Sequence, residues 1–195
     1  MFIETTPENA AEGALADWYR SQRDAWGFLP DYAGCFSTRP DVAKAWATLN
    51  LTIRGGMDRR RFELATIAAA RALRSTYCTV AHASFLRDVC GDGATVRALA
   101  FAPDGSDLSP QDAAVYDFAT RLALDASAIE QDDVDALRDA GLSDADVADV
   151  VFAVAARSFF TKVLDGLGAR LDPETAATFE PTVLQAMVVG RPVGS

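Results

Sequence analysis

The stretch Arg59-Arg60-Arg61-Phe62-Glu63-Leu64-Ala65-Thr66-Ile67-Ala68-Ala69-Ala70-Arg71-Ala72-Leu73 decides the fold class, because its apolar residues recur at the spacing of a helix rather than a strand. Ala65, Ala68, Ala69 and Ala72 share a face on which a second helix can approach closely. A matching face runs through Ala153, Ala155 and Ala156 in the segment Asp144 to Lys162, so the two helices are expected to cross in the core. Helical spacing continues through most of the chain. Strand-like alternation joined by Asn-Gly or Asp-Gly hairpin turns is missing. The expected fold is all-α.

Boundaries follow from caps and breakers. Thr6-Pro7-Glu8-Asn9 and Ser109-Pro110-Gln111-Asp112 each set a capping hydroxyl before a proline suited to the first helical position. Ser143-Asp144-Ala145-Asp146 and Asp172-Pro173-Glu174 act similarly, and stops are expected at Gly55-Gly56, Gly91, Gly141 and Gly166 to Gly168. The spacing predicts helices over 8–24, 40–53, 59–73, 76–90, 92–101, 110–124, 131–140, 144–166 and 173–179. The remaining tail, Val183 to Ser195, is apolar and then Gly/Pro-rich, a segment expected to fray or to dock on a neighbour.

A length of 195 residues fits one domain, read here as 1–195. The formal net charge of −10, with no basic cluster longer than Arg59-Arg60-Arg61, argues against a nucleic-acid partner, and that basic run is expected to be a solvated face. The longest uncharged run, Ser75 to Leu86, is far short of the roughly 20 apolar residues of a membrane span. The acidic start, Met1 to Glu8, does not read as a secretory signal, so a cytoplasmic location is expected. Three cysteines, Cys35, Cys78 and Cys90, are an odd number and point to reduced thiols rather than a disulfide framework.

The chain has one histidine, His82, four residues after Cys78 and therefore on the same face of a helix. In the first turn of that helix the free amides and the dipole favour a thiolate, and an adjacent imidazole can take its proton. Glu63 is an isolated acid on an otherwise apolar, alanine-rich stretch, where a carboxylate needs a partner. Each residue also has a purely structural reading. A free cysteine is usually a small buried hydrophobe, a lone histidine a satisfied core residue, and Glu63 a charge near a helix start. One histidine and scattered aspartates make no metal set, and no glycine-rich phosphate loop offers a cofactor a foothold.

Glu63, then Ser75-Thr76-Tyr77-Cys78, then His82 resembles the signature of the alkyl hydroperoxidase D-like and carboxymuconolactone decarboxylase superfamily: a glutamate, eleven residues, Cys-x-x-Cys, and a histidine four positions after the second cysteine. The stretches Leu142 to Phe152 and Phe159 to Gly168 are similar to the second half of its peroxidase-related branch. The resemblance implies a compact helical fold, a homo-oligomer such as a dimer or trimer of dimers, and thiol chemistry at Cys78 with a His82/Glu63 proton relay. Tyr77 and Ser75 support the site. Two departures stand out. Ser75 replaces the resolving cysteine, and Thr161 and Lys162 replace an expected Asn and Arg.

The resulting expectation is a peroxidase-related oxidoreductase that reduces a small hydroperoxide, leaves Cys78 as sulfenic acid, and is restored by an external thiol. Ser75 is expected to cap or hydrogen-bond. Cys90, expected on the same helix twelve residues on, is about 18 Å away by helical rise, too far for a disulfide. Two alternatives stay open: a lyase or isomerase acting on a small carboxylated metabolite with His82 as base, and a non-catalytic oligomer with a vestigial site.

Overall fold

A computed structural model describes residues 1–194. Among them the chain forms ten α-helices: α1 (Gly13–Trp26), α2 (Pro40–Gly56), α3 (Arg59–Ala72), α4 (Thr76–Asp88), α5 (Gly93–Phe101), α6 (Pro110–Leu124), α7 (Gln131–Asp139), α8 (Asp144–Leu167), α9 (Pro173–Ala176) and α10 (Pro181–Met187). Short 3₁₀ turns occupy Glu8–Ala10, Asp31–Phe36 and Ala126–Ala128, and no described residue is in a strand.

The architecture is organised around α3. Every residue from Phe62 to Ala70 is buried, as expected of a helix covered on all sides, and α4, α6 and α8 pack against it. The alanines permit this: Ala65, Ala68 and Ala69 are fully enclosed, and on α8 Ala153 and Ala156 are buried. Leu64 and Ile67, with no exposed surface, each contribute roughly 1.5–3 kcal/mol of apolar burial. One contiguous core extends from Leu15 on α1 to Met187 on α10.

Local chemistry explains the ends. Asp58 accepts from the Arg61 amide at the start of α3, and Ser109 accepts from that of Asp112 at the start of α6. Ser143 and Asp146 form a reciprocal capping box on α8, which Gly168 ends at φ 85°, a left-handed conformation suited to glycine.

Several expectations are corrected. The predicted helix 8–24 is a 3₁₀ turn followed by α1. Pro7 precedes only that turn without a side-chain cap, and Gly27 closes α1 at φ 80°, donating to the Arg23 carbonyl. Gly55 and Gly56 do not stop α2, since neither adopts positive φ. The basic run is not a solvated face. Arg59 pairs with Glu63, Arg60 with Asp92 and Asp112, and Arg61 with Asp146, so the start of α3 is tied to α5, α6 and α8. The apolar tail neither frays nor waits for a neighbour over its first part: it forms α10, which buries Val183 and Met187 against α4 and α5. Beyond α10 the Gly190 amide donates to Thr76 Oγ1 (3.0 Å), and the backbone there passes so close to the Arg74 carbonyl that a Cβ at position 190 would lie 1.8 Å from it. The expected approach of α3 and α8 is observed, but not over the whole expected face: Ala155 is exposed on the outer side of α8 and Ala72 is only half-buried.

Candidate functional site

Glu63 from α3, Cys78 and His82 from α4, and Arg157 from α8 line one cavity of about 360 Å³. α4 is buried along most of its length, so the i, i+4 spacing sets the thiol and the imidazole on its cavity-facing side. Cys78 is 1% exposed and His82 7%, and Glu63 is completely covered.

The acid is fully engaged. Glu63 Oε1 accepts from Arg59 Nε (2.6 Å), and Oε2 lies 2.5 Å from His82 Nδ1. Burial pushes the Glu63 carboxyl up, but His82 and Arg59 outweigh it and hold the group below its ordinary value. An ionised carboxylate can only accept, so the proton of the imidazole is assigned to Nδ1 and the lone pair to Nε2. Burial, with the charge of Arg157 next, pulls His82 down to about 4. At neutral pH it is an uncharged base whose orientation is fixed by the acid behind it.

Arg157 was not anticipated. It is 3% exposed, and its Nη1 lies 3.7 Å from Cys78 Sγ. Among the described residues no carboxylate pairs with it, and its Nε is buried without a hydrogen-bond partner. Its guanidinium carbon sits 5.7 Å from the Trp46 ring centroid and 5.3 Å from that of Phe160, two rings stacked at 3.9 Å. The one sequence signal was a lone cation within Val154-Ala155-Ala156-Arg157-Ser158-Phe159-Phe160, the same kind of signal that singled out Glu63.

The supporting residues divide. Tyr77 is buried and lines the cavity, and its hydroxyl donates to Asp172, which also accepts from the Asp31 amide (2.8 Å). Asp172 therefore spends its side chain on tertiary contacts and makes no cap bond to α9. Ser75 is fully buried and, against expectation, does not cap α4; its hydroxyl makes no close hydrogen bond but faces the Asp165 carboxyl and offsets part of the rise that burial causes there. Thr161 is buried with an unpartnered hydroxyl, while Lys162 faces solvent. Cys35 and Cys90 stay outside the cavity. Burial pushes the Cys35 thiol up to about 12 and raises that of Cys90. Cys90 also lies two residues past the end of α4 rather than on it. Among the described residues, no group of three or more His, Cys, Asp or Glu side chains could hold a metal, and no helix is long and apolar enough to cross a membrane.

Residues 40–102, from the start of α2 to just past α5, match the Carboxymuconolactone decarboxylase family, a span that contains Glu63, Cys78 and His82. No curated protein matches the sequence. Among solved structures, the chain is similar to a peroxidase-related protein with an alkylhydroperoxidase AhpD core from Ralstonia eutropha JMP134. The TM-score is 0.79 at 22% identity, covering 89% of this chain and 93% of that one. A peroxidase-related protein from Silicibacter sp. TM1040 gives 0.73 at 17% identity over 90% and 91% of the two chains. The debrominase Bmp8, in a cysteine-to-alanine variant complexed with 2,3,4-tribromopyrrole, gives 0.76 at 16% identity over 96% and 97%. At these identities the likeness establishes a shared all-α fold.

Proposed function

We propose that this chain, which belongs to the alkyl hydroperoxidase D-like and carboxymuconolactone decarboxylase superfamily, is a thiol-dependent peroxidase acting through Cys78. The observation that carries the reading is one cavity lined by Cys78, by a neutral His82 backed by Glu63, and by Arg157 within reach of the sulfur.

His82 Nε2 takes the Cys78 proton, directly or through a water, and the Arg157 guanidinium stabilises the thiolate left behind. The sulfur attacks the terminal oxygen of a hydroperoxide and the O–O bond breaks. The leaving alkoxide takes the proton from His82, and Cys78, oxidised by two electrons, is left as sulfenic acid. An external thiol condenses with it to a mixed disulfide, releasing water, and a second thiol frees Cys78. Glu63 acts throughout as a positioning residue. Ser75 has no part in these steps.

A second reading is favoured by the eight aromatic side chains that line the cavity and by the debrominase among the fold's relatives. Here the same thiolate takes a halogen from a small aromatic ring, the ring carbon keeps the electron pair and gains the proton held by His82, an external thiol displaces halide from the sulfur to leave a mixed disulfide, and a second thiol frees Cys78. Cys78→Ser tests both. It is expected to abolish hydroperoxide consumption and halide release alike, because a serine hydroxyl is far less nucleophilic than a thiolate. Unchanged turnover of either substrate by that variant sinks the thiol chemistry for it and leaves the lyase reading, in which His82 alone is the base.

We further propose that the chain is a homo-oligomer. With Val183 and Met187 buried in their own chain, an apolar surface open to a second copy is the outer face of α2 and α8, where Leu49, Phe152 and Phe159 are exposed beside a groove of about 630 Å³. Sedimentation at micromolar concentration is expected to show a species heavier than one 20.8 kDa chain, and a single-chain mass overturns this.

A further inference from the structure

The charge inside the cavity runs against the charge of the chain. The molecule carries a formal net charge of −10, yet the cavity is lined by two arginines, Arg54 and Arg157, against one carboxylate, Glu63, which is already bonded to Arg59 and His82. Neither Arg54 nor Arg157 pairs with an acid among the described residues. A buried cation without a partner is costly, and a fold retains one where an incoming anion completes it. Arg157 is 97% covered yet still has an unused Nε donor.

We infer that the cavity binds a small, flat organic anion, with Arg157 as the residue that anchors its carboxylate or equivalent group and the aromatic walls receiving its body. This deepens the reading of the cavity as the place where Cys78 reacts, and rests on it. The geometry supports the assignment in three ways. Arg157 Nη1 lies 3.7 Å from the sulfur, so a group held on the rest of the guanidinium is delivered next to the thiol. Its guanidinium lies against the side of the stacked Trp46 and Phe160 pair, 5.7 and 5.3 Å from the two ring centres, which limits the orientations open to the planar fork. Tyr32, Phe62 and Phe85 extend the walls with further ring surface suited to a planar body. Burial, together with the charge of Arg59, disfavours the ionised form of Arg54, a strain that an anion at the same mouth relieves.

Benzoate and benzamide share a shape and differ in charge, so calorimetric titration of each into the full chain tests the inference without any peroxide. Benzoate is expected to bind about tenfold or more tightly than benzamide, the size of a charge-assisted hydrogen bond. It is also expected to protect Cys78 from alkylation by the neutral reagent iodoacetamide in step with occupancy. Cyclohexanecarboxylate, an anion that is not flat, is expected to bind several-fold more weakly than benzoate. Arg157→Gln is expected to bring the benzoate-to-benzamide ratio to about one. Equal binding of the two by the unmodified protein overturns the inference, and that measurement needs no variant to fold. If Arg157 is only a counter-ion for the thiolate, Arg157→Gln slows alkylation and leaves the ratio unchanged, which also overturns it. Hydroperoxide consumption is read separately. A protein that prefers benzoate but is inert to peroxides loses the peroxidase reading and keeps this one, and the reverse result does the opposite.

Discussion

Two walls face each other across the cavity. The wall made by α3 and α4 carries Glu63, Cys78 and His82 on buried helices, with the acid satisfied on both oxygens. The wall made by α2 and α8 is aromatic, partly exposed along α2, and holds a guanidinium with an unused donor. The first wall is finished before any ligand arrives and the second is not. Groups that must move a proton need fixed partners, whereas groups that receive a substrate need open ones. Substitutions on the first wall are therefore expected to act on the chemical step, and those on the second, apart from Arg157 with its contact to the sulfur, on affinity.

The sharpest way to test the first wall is Ser75→Cys. The native hydroxyl makes no close hydrogen bond and only faces the Asp165 carboxyl, so a thiol there sacrifices little. After one equivalent of peroxide the native chain is expected to hold sulfenic acid at Cys78, trappable by a nucleophilic probe. The variant is expected to convert fully to a disulfide between the introduced thiol and Cys78, seen by intact mass, because a thiol held nearby reacts at high effective concentration. A disulfide from Cys78 to Cys35 or Cys90 in the native chain overturns the view that those two thiols are inert. Next in size, His82→Ala is expected to lower kcat by roughly 10²–10⁴-fold, the usual worth of a general base. A loss under tenfold erases the difference between the walls, because His82 is then packing. On the second wall, Trp46→Leu is expected to raise KM by about tenfold, the equivalent of an aromatic contact of about 1.4 kcal/mol, with kcat nearly unchanged. A fall in kcat of the same size would mean that both walls serve the chemistry.

The smallest expected effect is on stability. His82 is held near 4 in the folded chain against 6.5 for an ordinary histidine. Between those values the unfolded chain takes up a proton that the native chain refuses. Stability is therefore full above about pH 6.5 and falls as pH drops toward 4. Denaturant titrations at pH 7 and pH 5 are expected to show that loss, and His82→Gln to reduce it. An identical pH slope in the variant removes His82 from the explanation.

The first wall was legible in the sequence because its contacts are encoded locally: Cys78 and His82 are four residues apart on one helix, and Glu63 stands out on an apolar one. Caps and breakers marked α6 and α8 for the same reason, with Ser109, Ser143 and Gly168 acting within a turn of themselves. The second wall was not legible. Arg157 meets Cys78 across 79 positions of chain, a separation closed by the packing of α4 and α8 on α3 and by nothing in the spacing around Arg157. The basic run failed likewise, because the acids that claim Arg60 and Arg61 lie on α6, α8 and just ahead of α5. In α10, tertiary docking decides the conformation of a seven-residue segment too short to be helical on its own.

Trp18, Trp26 and Trp46 are the three tryptophans of this chain, and all three line the same cavity. Trp18 donates its indole N–H to the Ala33 carbonyl and Trp26 to the Tyr32 hydroxyl, both at 3.1 Å, which holds their rings in place. Excited indoles emit further to the red in a wetter, more mobile surrounding. The ultraviolet emission of the entire protein is thus a signal from one small volume. Filling, draining or oxidising that volume changes the colour and yield of the emission with no label attached, and distant rearrangements on α5, α6 or α7 leave it nearly silent.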